Sequence, residues 1–448
     1  MKDFTTGSIS KPLIAFAAPM IVGNLFQQLY SMADAIIVGN YVGGGALAAV
    51  GVSMNVVVFL TSVLIGLTTG AAVVIAQFFG AKNYEKLKST VSVSVIFLAV
   101  LAVVLAVFGV VFAPVLLRLL NTPDEIFSDA TVYMRILLGG MVFPIFYNMY
   151  TAYLRALGDS RHPLYVLIFA VILNVFLDMY LVIVLKMGVA GAAIATIFSQ
   201  FAAALLCFFY TRRSVPLLKV DKLKFDPELF RLILRYGVPA ALQLSIVSLA
   251  TLAITRLMNS FGAAAMAGIT AVGRIDQLAI MPVSTLSMAM ANFVAQNMGA
   301  GLEDRARKGF RAALVMMLIC AVFMSVVLML FAQQLISLFI NQNDASTPEI
   351  LRIGKAYLNI MVVFYFMFAI LFSFNGFFRG VGDAVIAMVF PIVSLSVRTI
   401  AAYALVKLAG MGPEALAWSI PIGWGLSSTA SWIYYKKRLW AGKAVTQA

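Results

Sequence analysis

From Leu13 almost to the C-terminus, runs of twenty or more mostly apolar residues alternate with short polar stretches. A helix that crosses the hydrocarbon core of a bilayer needs about 20 such residues, because each adds about 1.5 Å and the core is about 30 Å thick. The pattern predicts twelve spans, at 13-40, 46-76, 90-118, 130-157, 163-185, 189-212, 232-259, 265-297, 310-339, 351-378, 384-408 and 413-438. No stretch between them has room for a soluble domain. The first run is too long for the apolar core of a signal peptide, carries Asp34 and lacks a clear small-residue cleavage site, so it is expected to stay in the mature chain.

The polar connection from Thr211 to Arg231 divides the chain near its middle, and the sequence beyond it echoes the sequence before it. Ala18-Pro19 answers Val238-Pro239, Gln77-Phe-Phe-Gly-Ala81 answers Gln296-Asn-Met-Gly-Ala300, and Leu154-Arg-Ala-Leu-Gly-Asp159 answers Phe378-Arg-Gly-Val-Gly-Asp383. The repeat is therefore about six spans long, an even number, so both copies enter the membrane in the same orientation. This predicts an all-α membrane protein of 12 transmembrane helices in two six-helix lobes, related by pseudo-two-fold symmetry along the membrane normal. The boundaries expected are an N-lobe at 1-215, a cytoplasmic linker at 216-231 and a C-lobe at 232-448. A duplicated bundle with charge buried inside it points to transport rather than to an inert scaffold.

Composition then narrows the partners. With 62% hydrophobic and 11% charged residues the chain is far from the balance of a soluble domain, yet its formal charge of +14 invites a nucleic-acid reading. The placement of that charge argues otherwise. Most lysines and arginines gather at the N-terminus, on alternate loops and at the C-terminus, while the opposite loops are short or acidic, as at 121-125 and 343-346. The positive-inside rule then puts both termini in the cytoplasm of a multi-pass protein of the inner membrane. No aromatic residues interleave the basic loops as they do in nucleic-acid grooves, so lipid is the expected neighbour and the chain is read as a monomer. Cys207 and Cys320 fall inside apolar runs and read as packing residues, and His162 reads as a solvated loop residue.

Two enzymatic or motor readings carry little weight. No G-x-x-x-x-G-K-[ST] string occurs, so the chain has no ATP motor of its own. Gly380-Val-Gly-Asp383 matches the G-x-G-D string of intramembrane aspartyl proteases, but it follows Arg379 at a loop and its repeat copy reads Ala156-Leu-Gly-Asp159, so turn chemistry explains both. No enzyme activity and no cofactor are expected.

The chemistry lies in the buried polar groups, since an ionisable side chain at mid-membrane costs about 3 kcal/mol or more and needs a reason to be there. Asp34 in the first span and Asp178 in the fifth both sit roughly 10 Å below the outer surface. Asn174 lies one turn before Asp178, and Thr196 in the sixth span shares that depth. No Arg or Lys does so in the first, second, fifth or sixth spans. Two facing carboxylates in a low dielectric repel, so one holds a proton or both share a cation. At the repeat-related positions stand Arg398 for Asn174, Ala402 for Asp178, and Ala253 or Ile254 for Asp34, which makes the acid site one-sided. The second half instead carries Arg256, Arg274, Asp276 and Arg398; an ion pair of Asp276 with one of these arginines is expected, with cavity lining by Arg274 and Asp276 as the alternative.

Pro19, Gln27, Tyr30 and Asp34, the Asn174-Val-Phe-Leu-Asp178 string, Thr196 and the Arg-x-x-Gly-Asp turns ending at Asp159 and Asp383 together resemble the multidrug and toxic compound extrusion transporters, particularly the prokaryotic DinF-like branch. The resemblance covers essentially the whole chain. It implies that Asp34, Asn174, Asp178 and Thr196, with Asn148 as a further candidate, form an N-lobe site for protons or Na⁺. It also implies that Pro19 lets the first span bend and that Gln27 and Tyr30 line the cavity. The implied function is cation-coupled antiport, by alternating access, of small organic compounds that are often cationic and amphipathic. A flippase for a lipid-linked or peptide-like precursor, read from the arginines of the second half, is the alternative.

Overall fold

In hydrocarbon a chain must satisfy every backbone N–H and C=O within its own segment, so apolar runs of this length fold as helices. The structure, a computed structural model, describes residues 2–220, 222–340 and 346–445, and among these it contains helices and no strand. The first half comprises α1 (Ser10–Tyr41), α2 (Gly44–Gly80), α3 (Tyr84–Leu119), α4 (Asp124–Gly139), α5 (Val142–Ala156), α6 (Arg161–Asp178) and α7 (Gly188–Ser214). A π-helical stretch, Met179–Val184, follows α6, and a 3-10 turn, Pro216–Leu218, follows α7. The second half comprises α8 (Pro227–Asn259), α9 (Ala263–Gly299), α10 (Glu303–Leu330), a short α11 (Ala332–Ser337), α12 (Thr347–Val363), α13 (Tyr365–Val381), α14 (Ala384–Lys407) and α15 (Glu414–Lys436).

These helices follow one another where the twelve apolar runs lie. Among the described residues nine are long and apolar enough to cross a membrane, and two further spans are bent pairs, α4 with α5 at 47° and α12 with α13 at 52°. Of the two that remain, α11 is six residues long, and α15 has the length but a more polar sequence, with Ser427, Ser428, Thr429 and Ser431 in one stretch. The bends were not expected of spans 130-157 and 351-378. In the first, Gly140 supplies a position without Cβ where the Ile197 side chain presses in; a Cβ there would lie 2.5 Å from it. The expected span 310-339 is likewise two pieces, since α10 stops at Leu330 before the short α11. The acidic loop read at 343-345 lies outside the described residues.

By packing, the chain divides into two units, Met1–Phe4 with Ile14–Ala241, and Thr5–Leu13 with Leu242–Ala448. Within the first, α2 packs on α3, α4 and α5, and α6 on α7; within the second, α9 packs on α10, α12 and α13, and α14 on α15. The repeat heard in the sequence is thus also a repeat of packing. The central helix of each unit opens from a glycine in the left-handed region, Gly43 at φ 115° and Gly262 at φ 87°. In the first unit Gly66 and Gly70 bring α2 against the early part of α8 so closely that a Cβ on either would lie 2.3 Å from the backbone of Ala241 or Gly237. Small residues four apart are what allow such backbone approach between membrane helices. The outer helices carry unpartnered apolar faces, Val100, Val103, Val107 and Val111 on α3 and Val315, Ile319, Val322 and Val326 on α10, at the spacing of a helix that turns one side to lipid.

Turn chemistry accounts for the two Gly-Asp strings. Asp159 Oδ1 accepts from the N–H groups of Arg161 and His162 at 3.2 Å, capping α6, and its Oδ2 accepts from the Tyr210 hydroxyl at 3.1 Å. Asp383, at the repeat-related place before α14, accepts from the Tyr434 hydroxyl at 2.6 Å. His162 lies in the first turn of α6 and not in a loop, while its side chain stays 45% exposed. It stacks on Tyr210 at 4.0 Å, and its Nδ1 lies 2.7 Å from Asp159 Oδ2. Arg155, grouped by sequence with the loop charges, belongs to α5, and its Nε is buried without a hydrogen-bond partner.

Candidate functional site

Asp34 reaches the interior because the side of α1 that carries Tyr30 and Asp34 faces α6 and α7 of the same unit. The side chain is 8% exposed, and those of Asn174 and Asp178 are fully buried. Asp178 is the last residue of α6, immediately before the helix widens; Leu185 N–H donates to Tyr180 O, five residues back, at 2.9 Å. Such single π-turns in a helix recur at functional sites. Here the turn follows directly on the residue that carries the charge.

The carboxyl groups of Asp34 and Asp178 lie within hydrogen-bonding reach of one another. With the Asn174 amide oriented to satisfy both neighbours, its Nδ2 donates to Asp178 Oδ2 at 2.9 Å and its Oδ1 accepts from the Thr196 backbone N–H at 3.3 Å. The Tyr30 hydroxyl donates to Thr196 Oγ1 at 3.2 Å. No donor reaches Asp34 Oδ1 or Asp178 Oδ1, although both atoms are buried. Two buried acceptor oxygens without donors cannot both carry full charge cheaply, and such a set can take a proton or a small cation with oxygen ligands. The donors present, carboxylates, an amide and hydroxyls, suit a hard cation.

Five residues singled out by sequence, Tyr30, Asp34, Asn174, Asp178 and Thr196, are thus brought together. The others are not. The Asn148 amide donates to Pro144 O of its own helix at 2.7 Å, and no hydrogen bond joins it to the set. Gln27 is exposed on α1, and Pro19 is half-buried inside the same helix. In the second unit Arg274 is exposed on α9, and among the described residues no arginine comes within ion-pair distance of Asp276. Its Oδ1 accepts instead from the Tyr365 hydroxyl at 2.7 Å, while Arg398, whose charge acts on it, lies beside Tyr357. The physical reason is reach: Tyr365 opens α13 directly against α9, and a neutral hydroxyl satisfies the carboxylate without desolvating a second charge.

Sequence reasoning missed Tyr133. Its ring is 1% exposed in the core formed with Ile37, Val38 and Val182, and its hydroxyl is close enough to feel a charge on Asp34 or Asp178. A single tyrosine in a half-apolar helix gives no signal by itself. Its repeat partner Tyr357, which stands beside Arg398, was the available clue.

An all-helical protein of two repeated, membrane-spanning units with a carboxylate pair buried in one of them is built as a transporter. The profile of the family described as MatE matches the chain twice, over residues 19–181 and 239–404, once in each half. A probable multidrug resistance protein of Bacillus subtilis, YpnP, is 32% identical over 440 residues, covering 98% of this chain and 97% of its own. A probable multidrug resistance protein of Thermotoga maritima, NorM, is 31% identical over 412 residues, covering 90% and 87%. Among solved structures, a multidrug resistance MATE family transporter in an outward-facing conformation superimposes with a TM-score of 0.91 at 24% identity, over 98% of each chain. The chain belongs to the MATE family of membrane transporters.

Proposed function

We propose that this transporter is a cation-coupled antiporter that exports small organic compounds by alternating access, with Asp34 and Asp178 as the coupling site. The observation that carries the reading is the carboxyl pair itself: two buried side chains in mutual reach, each with an oxygen that meets no donor. Such a pair is stable when it holds H⁺ or Na⁺ and poised to release it when water reaches it. The names of the similar chains, multidrug resistance proteins, support organic cargo.

Coupling needs cation and cargo to favour different states, because a ligand shifts an equilibrium only by its differential affinity. Loading of the pair from outside draws Asp34 on α1 and Asp178 on α6 together, with Asn174 and Thr196 completing the set. Cargo release accompanies loading, and the unloaded pair, charged and repelling, returns the protein to the state that takes cargo from the cytoplasmic side. Pro19, which removes one backbone hydrogen bond from α1, is where that helix bends.

The test is drug transport by the reconstituted protein under separately imposed proton and sodium gradients, for the wild type and Asp178→Asn. Gradient-driven transport is expected in the wild type and lost in the variant; its survival would remove the assigned role. A flippase for an anionic lipid-linked precursor is the second reading, and the observation favouring it is Arg398, whose Nε has no partner although it is buried. Cargo charge decides between them. Loss of ethidium efflux in Asp34→Asn, with efflux intact when Arg256, Arg274 and Arg398 are replaced together by Ala, would leave the flippase reading without support.

A further inference from the structure

A cavity lies between α3, α5 and α7, toward the end of α7 marked by Phe208 and Arg212 and away from Thr196 near its start. It measures about 200 Å³ and is walled by Val91, Val95, Tyr150, Phe208 and Leu218, with Arg212 and Lys219 at its margin. Its place in the fold is specific. Val91 and Val95 fall within about three turns of the start of α3, Tyr150 and Phe208 within two turns of the ends of α5 and α7, and all these ends share the side on which the basic residues gather. The volume falls below the roughly 300–1,000 Å³ of sites for drug-sized ligands, so it is no second cargo site.

The segment after α7 forms one side of this cavity and is pinned there. Lys224 N–H donates to Ser92 Oγ at 2.7 Å, and the same hydroxyl donates to Lys224 O at 2.8 Å. Between α7 and α8 the chain interleaves three lysines, Lys219, Lys222 and Lys224, with Val220, Leu223 and Phe225 and with two acids, Asp221 and Asp226, and with Arg212 and Arg213 before it the stretch keeps a net positive charge. Leu223 and Phe225 are 61% and 51% exposed. Arg212 and Arg213 close the last turn of α7 just before it. Exposed apolar side chains among cations at a helix end are the pattern of a segment lying in the headgroup layer, where each Lys or Arg contributes about 1 kcal/mol of attraction to anionic lipid.

We propose that this cavity is a binding site for one anionic phospholipid of the cytoplasmic leaflet, with an acyl chain between Val95, Tyr150 and Phe208 and the phosphate held by Arg212 and Lys219. Two features select a lipid over a soluble phosphate. The cavity wall is apolar, which a free anion would not use, and the cations stand only at its margin, as a headgroup requires. The lipid then fastens the segment after α7 to α3, adding to the two hydrogen bonds at Ser92.

Native mass spectrometry of the full-length protein in detergent, titrated with phosphatidylglycerol, tests the site. One tightly held lipid is expected. Replacing Arg212 and Lys219 together by Ala should weaken it about thirtyfold, the equivalent of about 2 kcal/mol for two cations, and R212K/K219R should restore it. Val95→Trp, which fills the cavity and keeps the charges, should also remove it, with thermal melting confirming the fold. Lys436→Ala with Lys437→Ala, an equal charge change in the second unit, should leave it unaffected. Phosphatidylcholine binding as tightly, glycerol phosphate competing as well as the whole lipid, or the Lys436 and Lys437 control losing as much affinity, would each overturn the proposal. So would retention of the lipid by a folded Val95→Trp protein.

Discussion

The two halves use one packing plan around opposite chemistry. In the first, α1 meets α6 through Asp34 and Asp178, with Asn174 one turn away and Tyr133 beside them. In the second, the equivalent meeting of α8 with α14 is kept, but the Tyr403 hydroxyl donates to Ala253 O at 3.3 Å, and Ala402 fills the place of Asp178. Arg398 stands where Asn174 does, and Tyr357 where Tyr133 does. The same pocket of the repeat therefore holds a pair of acids in one copy, and in the other an arginine, Arg398, whose charge acts on the single acid Asp276. Duplication supplies a second copy whose packing must be kept while its polar residues are free to diverge, so the copy that retained a pair of acids is the one to which coupling is assigned.

The sharpest way to break this comparison is to neutralise one acid in each half. Asp178→Asn should reduce gradient-driven efflux to the level of protein-free vesicles, whereas Asp276→Asn, whose carboxyl already rests on the Tyr365 hydroxyl, should retain it. The reverse outcome in a liposome assay would move coupling to the second half. Next in size are the repeat-related turn acids. Asp159→Ala removes a cap on two N–H groups and the acceptor for Tyr210, and should cost about 3 kcal/mol by thermal or denaturant unfolding. Asp383→Ala removes an acceptor for Tyr434 alone and should cost about 1 kcal/mol. Equal costs would mean that the two turns are not as different as their hydrogen bonds.

Smaller effects refine the picture within each site. Tyr365→Phe leaves Asp276 Oδ1 without its donor and should lower stability by about 2 kcal/mol while sparing coupling, read as a melting shift with unchanged efflux. Tyr30→Phe removes one hydroxyl from Thr196, a change of about 1 kcal/mol, and should raise the half-saturating concentration of the coupling ion about fivefold without altering the choice of cargo. A change in cargo preference instead would make Tyr30 a cavity residue and not part of the ion site.

Much of this was legible in the chain. The twelve apolar runs became helices because hydrocarbon leaves the backbone no other partner, and counting along the spans grouped Asp34, Asn174, Asp178 and Thr196, which the helices do bring together. Asn148 was carried into that set by resemblance, but its side-chain amide turns back along α5 and donates to Pro144 O, a second donor on that carbonyl. Asp276 was expected to find an arginine, yet the partner was a tyrosine from another helix, which no spacing along α9 reveals.

Length, apolarity and period were enough for the class of structure, the order of its spans and the duplication. Only the tertiary structure decided which polar groups meet. The bend at Gly140, the π-turn after Asp178, the Tyr133 ring beside the acids and the Tyr403 hydroxyl on Ala253 all depend on how helices rotate and press on one another. That rotation is set by side chains from several segments at once, and a hydrogen bond is made or missed within a few tenths of an ångström.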